Sequence, residues 1–129
     1  MKKIYVACSL THAPENFKLQ IDHLKKELKK HFEVLDFYGL TAGQPKDIYE
    51  HDVSCVKNCD LLLAEVSYPA LGVGFEIATA LANKKPVFAV ANSDAHVSRL
   101  IVGIQDPLFT FFKYSTLPEV VLLLKNHIE

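Results

Sequence analysis

Cysteine is scarce in this sequence. Cys8, Cys55 and Cys59 make an odd count with no C-x-x-C pair among them, which argues against a disulfide framework and against a structural zinc site. Reduced, buried thiols are expected instead. Net charge is nearly absent as well: the formal balance is −1 at neutral pH, so nothing selects a nucleic-acid or membrane surface. Long apolar runs are missing too. Lys2 and Lys3 precede only Ile4 to Cys8, which is too short for a signal-peptide core and far too short to span a bilayer. A cytoplasmic protein is the expectation. Repeats, linkers and low-complexity tracts are also lacking.

What remains is a chain of 129 residues, half of them hydrophobic. That is enough for one domain over residues 1–129 with a real core. Its centre is the stretch DLLLAEVSYPALGVGFEIATALAN from Asp60 to Asn83. Leu61 to Val66, with Glu65 its one charge, predicts a strand buried on both faces of a parallel sheet. Pro69 ends it. Gly72 and Gly74 form a turn, after which Phe75, Ala78 and Leu81 keep one side of a helix apolar.

The rest of the chain alternates in the same way. Strands are predicted at Lys2 to Cys8, Glu33 to Phe37, Pro86 to Ala91 and Leu108 to Lys113. The first helix carries the stripe Phe17, Ile21, Leu24 and Leu28, with Lys25, Lys26, Lys29 and Lys30 on solvated faces. Gly39 to Gln44 reads as a loop, and Pro45 opens a helix to about Asn58. A further helix is expected over Ala95 to Gly103. Thr116 and Glu119 form a capping box for a last helix through Val120, Val121, Leu124 and Ile128. The alternation predicts an α/β fold with a five-stranded parallel sheet covered on both faces.

Ligands of such sheets bind at the carboxyl ends of strands, where glycines admit close approach and helix starts offer free amides. Glu76 stands there. A carboxylate in a first helical turn is stabilised as the anion, which suits a nucleophile, although the same placement also serves helix stability alone. Asp52 interrupts an apolar stripe of Ile48, Tyr49, Cys55, Val56 and Cys59, so it is a candidate acid or base, or else a rim residue reaching solvent. Tyr5 could orient a carboxylate or could be a packed aromatic. Cys8 lacks a histidine at a recognisable spacing and reads as a packed thiol. His12, His23, His31, His51, His96 and His127 are scattered and form no metal constellation.

With those residues in view, the segments IYVACSL, HDVSCVKNCDLLLAEVSYPALGVGFEIATAL and SRLIVG resemble the nucleoside 2-deoxyribosyltransferase family, most closely its 2'-deoxynucleoside 5'-phosphate N-hydrolase branch. The resemblance implies a flavodoxin-like (Rossmann-like) three-layer sandwich that dimerises, or forms a dimer of dimers, around its active sites. It implies N-glycosidic cleavage of a deoxynucleoside or deoxynucleotide, as a hydrolase or a transferase of nucleotide metabolism, with no metal or organic cofactor. Glu76 falls on the family's catalytic glutamate, Asp52 on its active-site aspartate, and Tyr5 on the tyrosine that positions the glutamate. Gly72 and Gly74 fall on the GxGxE turn. Ser9 matches the serine of the first loop, and Ser98 the serine that a partner subunit contributes.

Two positions depart from the hydrolase pattern. Thr11 stands where those enzymes have a phosphate-binding arginine, and Ala70 where they have a serine. Hydroxyls and amides alone therefore predict a weak preference for nucleotide over nucleoside. Two other readings of the sequence compete with this one. A non-catalytic nucleotide sensor on the same fold is one. A phosphate-receiver domain is disfavoured, because Cys8 and Ser9 occupy the place of its acidic pair.

Overall fold

The computed structural model describes residues 1–37 and 43–128; of the expected loop Gly39 to Gln44, positions 39–42 lie outside the described residues. The elements run β1 (Lys3–Cys8), α1 (Glu15–Leu28), β2 (Glu33–Leu35), α2 (Pro45–Asn58), β3 (Leu61–Glu65), α3 (Leu71–Ala82), β4 (Val87–Asn92), α4 (Arg99–Val102), β5 (Phe109–Tyr114) and α5 (Leu117–Ile128). The strands form one parallel sheet in the order β2-β1-β3-β4-β5. This is the flavodoxin-like order, whose direction reverses between β1 and β3.

Both faces of the sheet are covered, which explains the unbroken apolar runs. On one face Val6, Leu63 and Val90 pack with the α1 stripe Phe17, Ile21, Leu24 and Leu28 and with Val120 and Leu124 of α5. On the other, Tyr5, Leu62 and Ala89 pack with Val56 of α2 and with Val73, Ile77 and Ala80 of α3. α2 is opened by Pro45 and by a reciprocal capping box between Gln44 and Asp47, so its bounds match the expectation. At α5 the Glu119 carboxylate accepts from the Thr116 backbone N–H at 3.0 Å.

Four expectations need correction. α3 buries Val73, Ile77 and Ala80 rather than Phe75, Ala78 and Leu81; Phe75 is 51 % exposed. The helix is apolar nearly all round, so periodicity could not fix its phase. Its start at Leu71 also places Gly72 and Gly74 inside the first helical turn rather than before it. Lys25 is buried, unlike its neighbours, because its ammonium lies 4.5 Å from the Phe37 ring centroid and 3.7 Å from Asp36. The stretch from Ala95 yields only the single turn α4, residues 95–98 being irregular after a turn in which Asn92 Oδ1 accepts the Asp94 N–H at 3.0 Å.

Candidate active site

A cavity of about 340 Å³ opens at the carboxyl end of β1, at the point where the strand order reverses. Its wall brings together Tyr5, Ser9 and Thr11 from β1 and the loop after it, Asp52 from α2, and Gly72 and Glu76 from α3. Six of the eight residues singled out by sequence thus share one space. Gly74 and Ser98 do not; they line an adjoining groove of about 760 Å³. The two spaces meet along His12, Ala70, Leu71 and Val73.

The Tyr5 hydroxyl donates to Glu76 Oε2 at 2.6 Å. Burial first, then the Glu76 and Asp52 charges, hold the Tyr5 pKa far above its ordinary value, so the phenol remains a donor. Glu76 departs from expectation. It lies in the second turn of α3, whose first turn holds no acidic residue, so the free amides of the helix start do not reach it. Burial instead pushes its pKa up to about 7, with the Asp52 charge adding to the rise and the Tyr5 hydrogen bond opposing it. At neutral pH a proton is therefore shared between solution and this site.

A Cβ built on Gly72 or Gly74 would meet nothing within 4 Å, so packing does not require glycine at either position. Each nevertheless weakens a helix by about 1 kcal/mol relative to alanine. What the pair provides is bare backbone facing the two cavities, where a ligand can come close. Ser9 is buried, and its hydroxyl donates to the Pro69 carbonyl at 3.2 Å, tying the loop after β1 to the one before α3. Asp52 is half-buried at the cavity wall, and Tyr49 beside it is 58 % exposed. The apolar stripe it was expected to interrupt is thus buried only at Val56 and Cys59.

The thiols are free, with Cys59 buried and Cys8 and Cys55 partly so. Burial pushes Cys8 up to about 11, which leaves it an unreactive part of the cavity wall. Two wall residues escaped the sequence reading. Phe37 is held at the cavity by Lys25, a contact for which a lysine among apolar neighbours gives no signal. His12, one of the scattered histidines, stands where the two spaces join. Among the described residues no group of three or more His, Cys, Asp or Glu is placed to hold a metal ion, and no helix is long and apolar enough to cross a membrane.

A second buried carboxylate lies on the opposite face of the sheet. Glu65 accepts from the Tyr114 hydroxyl and from the Ser67 N–H and hydroxyl at 2.6 and 2.9 Å. The Ser67 hydroxyl oxygen in turn accepts from the Asn92 N–H at 2.8 Å. This network joins the ends of β3, β4 and β5 and lines neither of the two spaces around Glu76 and Ser98.

Residues 4–113 match the model of the family described as nucleoside 2-deoxyribosyltransferase. A Thermofilum pendens protein named "Putative 2'-deoxynucleoside 5'-phosphate N-hydrolase 1" is 37 % identical over 131 residues, covering 92 % of this chain and 90 % of its own. The 5-hydroxymethyl-dUMP N-hydrolase of Branchiostoma floridae is 35 % identical over 98 residues, 74 % of this chain and 93 % of its own. Among solved structures, the Clostridium botulinum CMP N-glycosidase superposes with a TM-score of 0.70 at 22 % identity, covering 98 % of this chain and 99 % of that one. The 2-desoxiribosyltransferase of Leishmania mexicana gives 0.62 at 21 % identity over 72 % and 66 %; these two speak for the fold alone.

Proposed function

This chain belongs to the nucleoside 2-deoxyribosyltransferase family, and from that premise we propose that it cleaves the N-glycosidic bond of 2'-deoxynucleosides or their 5'-monophosphates. The observation that carries the reading is the 2.6 Å hydrogen bond from Tyr5 to Glu76 in a cavity that also holds Asp52. A tyrosine that cannot readily ionise fixes one carboxylate oxygen and leaves the other free to react.

In the first step the free Glu76 oxygen bonds to the anomeric carbon while the bond from that carbon to the base nitrogen breaks. The proton that Glu76 gives up on becoming the carboxylate passes to Asp52, which delivers it to the departing nitrogen. In the second step a water, or the nitrogen of a second base, attacks the same carbon from the vacated side. Its proton returns to Asp52, Glu76 leaves as the carboxylate, and the sugar keeps its configuration. The raised pKa of Glu76 fits this sequence. A carboxylate poorly solvated by its surroundings is a better nucleophile, and near pH 7 it is still available in the ionised form.

The test is incubation with a panel of deoxynucleosides and their 5'-monophosphates, with and without a second free base, following base release. Release that depends on Glu76 supports the reading; no release from any member of the panel overturns it. Exposed apolar side chains support a homodimer as the working form. Leu71 is 97 % and Leu100 82 % exposed, both on the groove that holds Ser98. Ile101 and Ile104 of the same segment pack onto the chain's own core, so Leu100 and the 46 % exposed Val102 are left for a partner. An active species with a monomeric mass at micromolar concentration would contradict the dimer. The free thiols fit a reducing compartment such as the cytoplasm.

A further inference from the structure

Lys25 is a buried charge that the reaction described above leaves without a task. Its side chain is 11 % exposed and lies between Ile21 and Leu28 on the buried stripe of α1, where an apolar residue would fill the space with no ion to desolvate. Little offsets that burial. Among the described residues the partners of the ammonium are the half-exposed Asp36 carboxylate at 3.7 Å, which Lys29 also approaches at 3.9 Å, and the Phe37 ring, with its centroid 4.5 Å away. The second contact is well within cation–π range. Phe37 lines the cavity that holds Glu76 and Asp52, and Lys25 stands close behind the same wall: burial raises the Cys8 pKa there, and the Lys25 charge opposes the rise. The main chain has a separate anchor. His51 Nε2 lies 3.1 Å from the Asp36 carbonyl, which accepts its proton and ties the end of β2 to α2.

We propose that Lys25 is a positioning residue: its ammonium, set between the Asp36 carboxylate and the Phe37 ring, fixes that ring as the surface against which the planar base of the substrate is held. This rests on the N-glycosidase reading, which puts the anomeric carbon at Glu76 and the base beside it. Tyr5 and Phe37 are the phenyl rings of the cavity wall among the described residues, and the Tyr5 hydroxyl is committed to Glu76. Phe37 is therefore the ring left for a planar ligand. An aromatic face holds a base by stacking whatever its hydrogen-bonding pattern, but only a ring of fixed orientation also aims the glycosidic bond at the nucleophile. Lys25 supplies that constraint from outside the cavity. Because His51 secures the backbone independently, what the lysine governs is the side chain of Phe37, and it acts on the substrate through that side chain alone.

The test is a binding cycle. Affinity for a deoxynucleoside is measured by calorimetry on Glu76→Gln protein, which needs no turnover, with Lys25→Met, Lys25→Arg and Phe37→Leu added singly and with Lys25→Met and Phe37→Leu together. Thermal melts accompany each variant. Lys25→Met should keep or raise the melting temperature, since methionine suits the buried stripe and Asp36 keeps Lys29, yet it should weaken binding about fivefold. Lys25→Arg should restore most of the affinity. In the Phe37→Leu background the same Lys25→Met change should cost nothing further, because the ring it works through is gone. Affinity of Lys25→Met within about twofold of its parent, an equal loss with and without Phe37, or no binding by the parent overturns the inference. So does a Lys25→Met protein that fails to fold, which would make the lysine structural. A second variant reads the ring directly: the chain has no tryptophan, so Phe37→Trp gives a single fluorophore whose emission the stacked base should quench. Emission unmoved by saturating deoxynucleoside also overturns the inference. Turnover by the unaltered protein tests the glycosidase reading apart from this. Its absence, with the coupling between Lys25 and Phe37 intact, would remove that reading and leave the lysine holding the ring for a planar ligand.

Discussion

Glu65 and Glu76 lie on opposite faces of the sheet, each accepting a hydrogen bond from a tyrosine hydroxyl, Tyr114 for one and Tyr5 for the other. Burial raises the pKa of both. Glu65 is 1 % exposed, and Ser67 adds two further donors to its oxygens. Glu76 faces a cavity instead, with Tyr5 as its hydrogen-bond donor and the Asp52 charge nearby. A buried carboxylate whose lone pairs are filled is a joint in the sheet. One with a lone pair left over and open space in front of it is placed to react, as proposed for Glu76. The residue type and its tyrosine partner are the same in both cases, so access and unfilled hydrogen-bonding capacity make the difference.

The comparison can be broken most directly by neutralising each carboxylate in turn. Glu76→Gln should lower base release by roughly a thousandfold or more, because the nucleophile is gone while the amide oxygen still accepts from Tyr5. Release in steady-state assays within tenfold of the unaltered protein would take Glu76 out of that role. Glu65→Ala should act on the other axis. It leaves the Tyr114 hydroxyl without its acceptor at the buried ends of three strands, a loss of about 3 kcal/mol in urea unfolding, with turnover per folded molecule retained. A variant that keeps its stability but loses activity would reverse the assignment of the two glutamates.

A smaller effect sharpens the contrast through pH. Glu76 holds its proton more tightly folded than unfolded, so its contribution to stability is present below the usual carboxylate range and is lost as pH rises through about 7. Glu76→Gln does not titrate. At pH 8 it should therefore be more stable than the unaltered protein by on the order of 1–3 kcal/mol, a gain that thermal melts should show disappearing at pH 4. The same ionisation gives kcat/KM a rising limb with its midpoint near pH 7.

The smallest expected change is that of Tyr5→Phe. Its hydroxyl lowers the Glu76 pKa against burial, so removing it should move the rising limb of the pH–rate profile to higher pH and cost about tenfold in kcat/KM at neutral pH. A limb that stays in place would mean that Tyr5 packs against Glu76 without tuning it.

Local chemistry written in the sequence determined a good part of this protein. Alternating apolar runs, Pro45 at a helix start and Glu119 three residues after Thr116 fix elements through contacts a few residues long, so the five strands and the span of α2 were legible. The resemblance carried by the segments around Tyr5, Asp52 and Glu76 brought those three into one site, and the fold lines one cavity with them. The tertiary structure decided what depends on distant neighbours. It set the phase of α3, which is apolar on nearly every side, and the burial of Lys25 against Phe37. Above all it set the protonation of Glu76: the sequence placed that residue beside helix amides that favour the anion, but folding put it one turn further in, where removal from water favours the proton. Desolvation is a property of everything packed around a group, and no short stretch of sequence contains it.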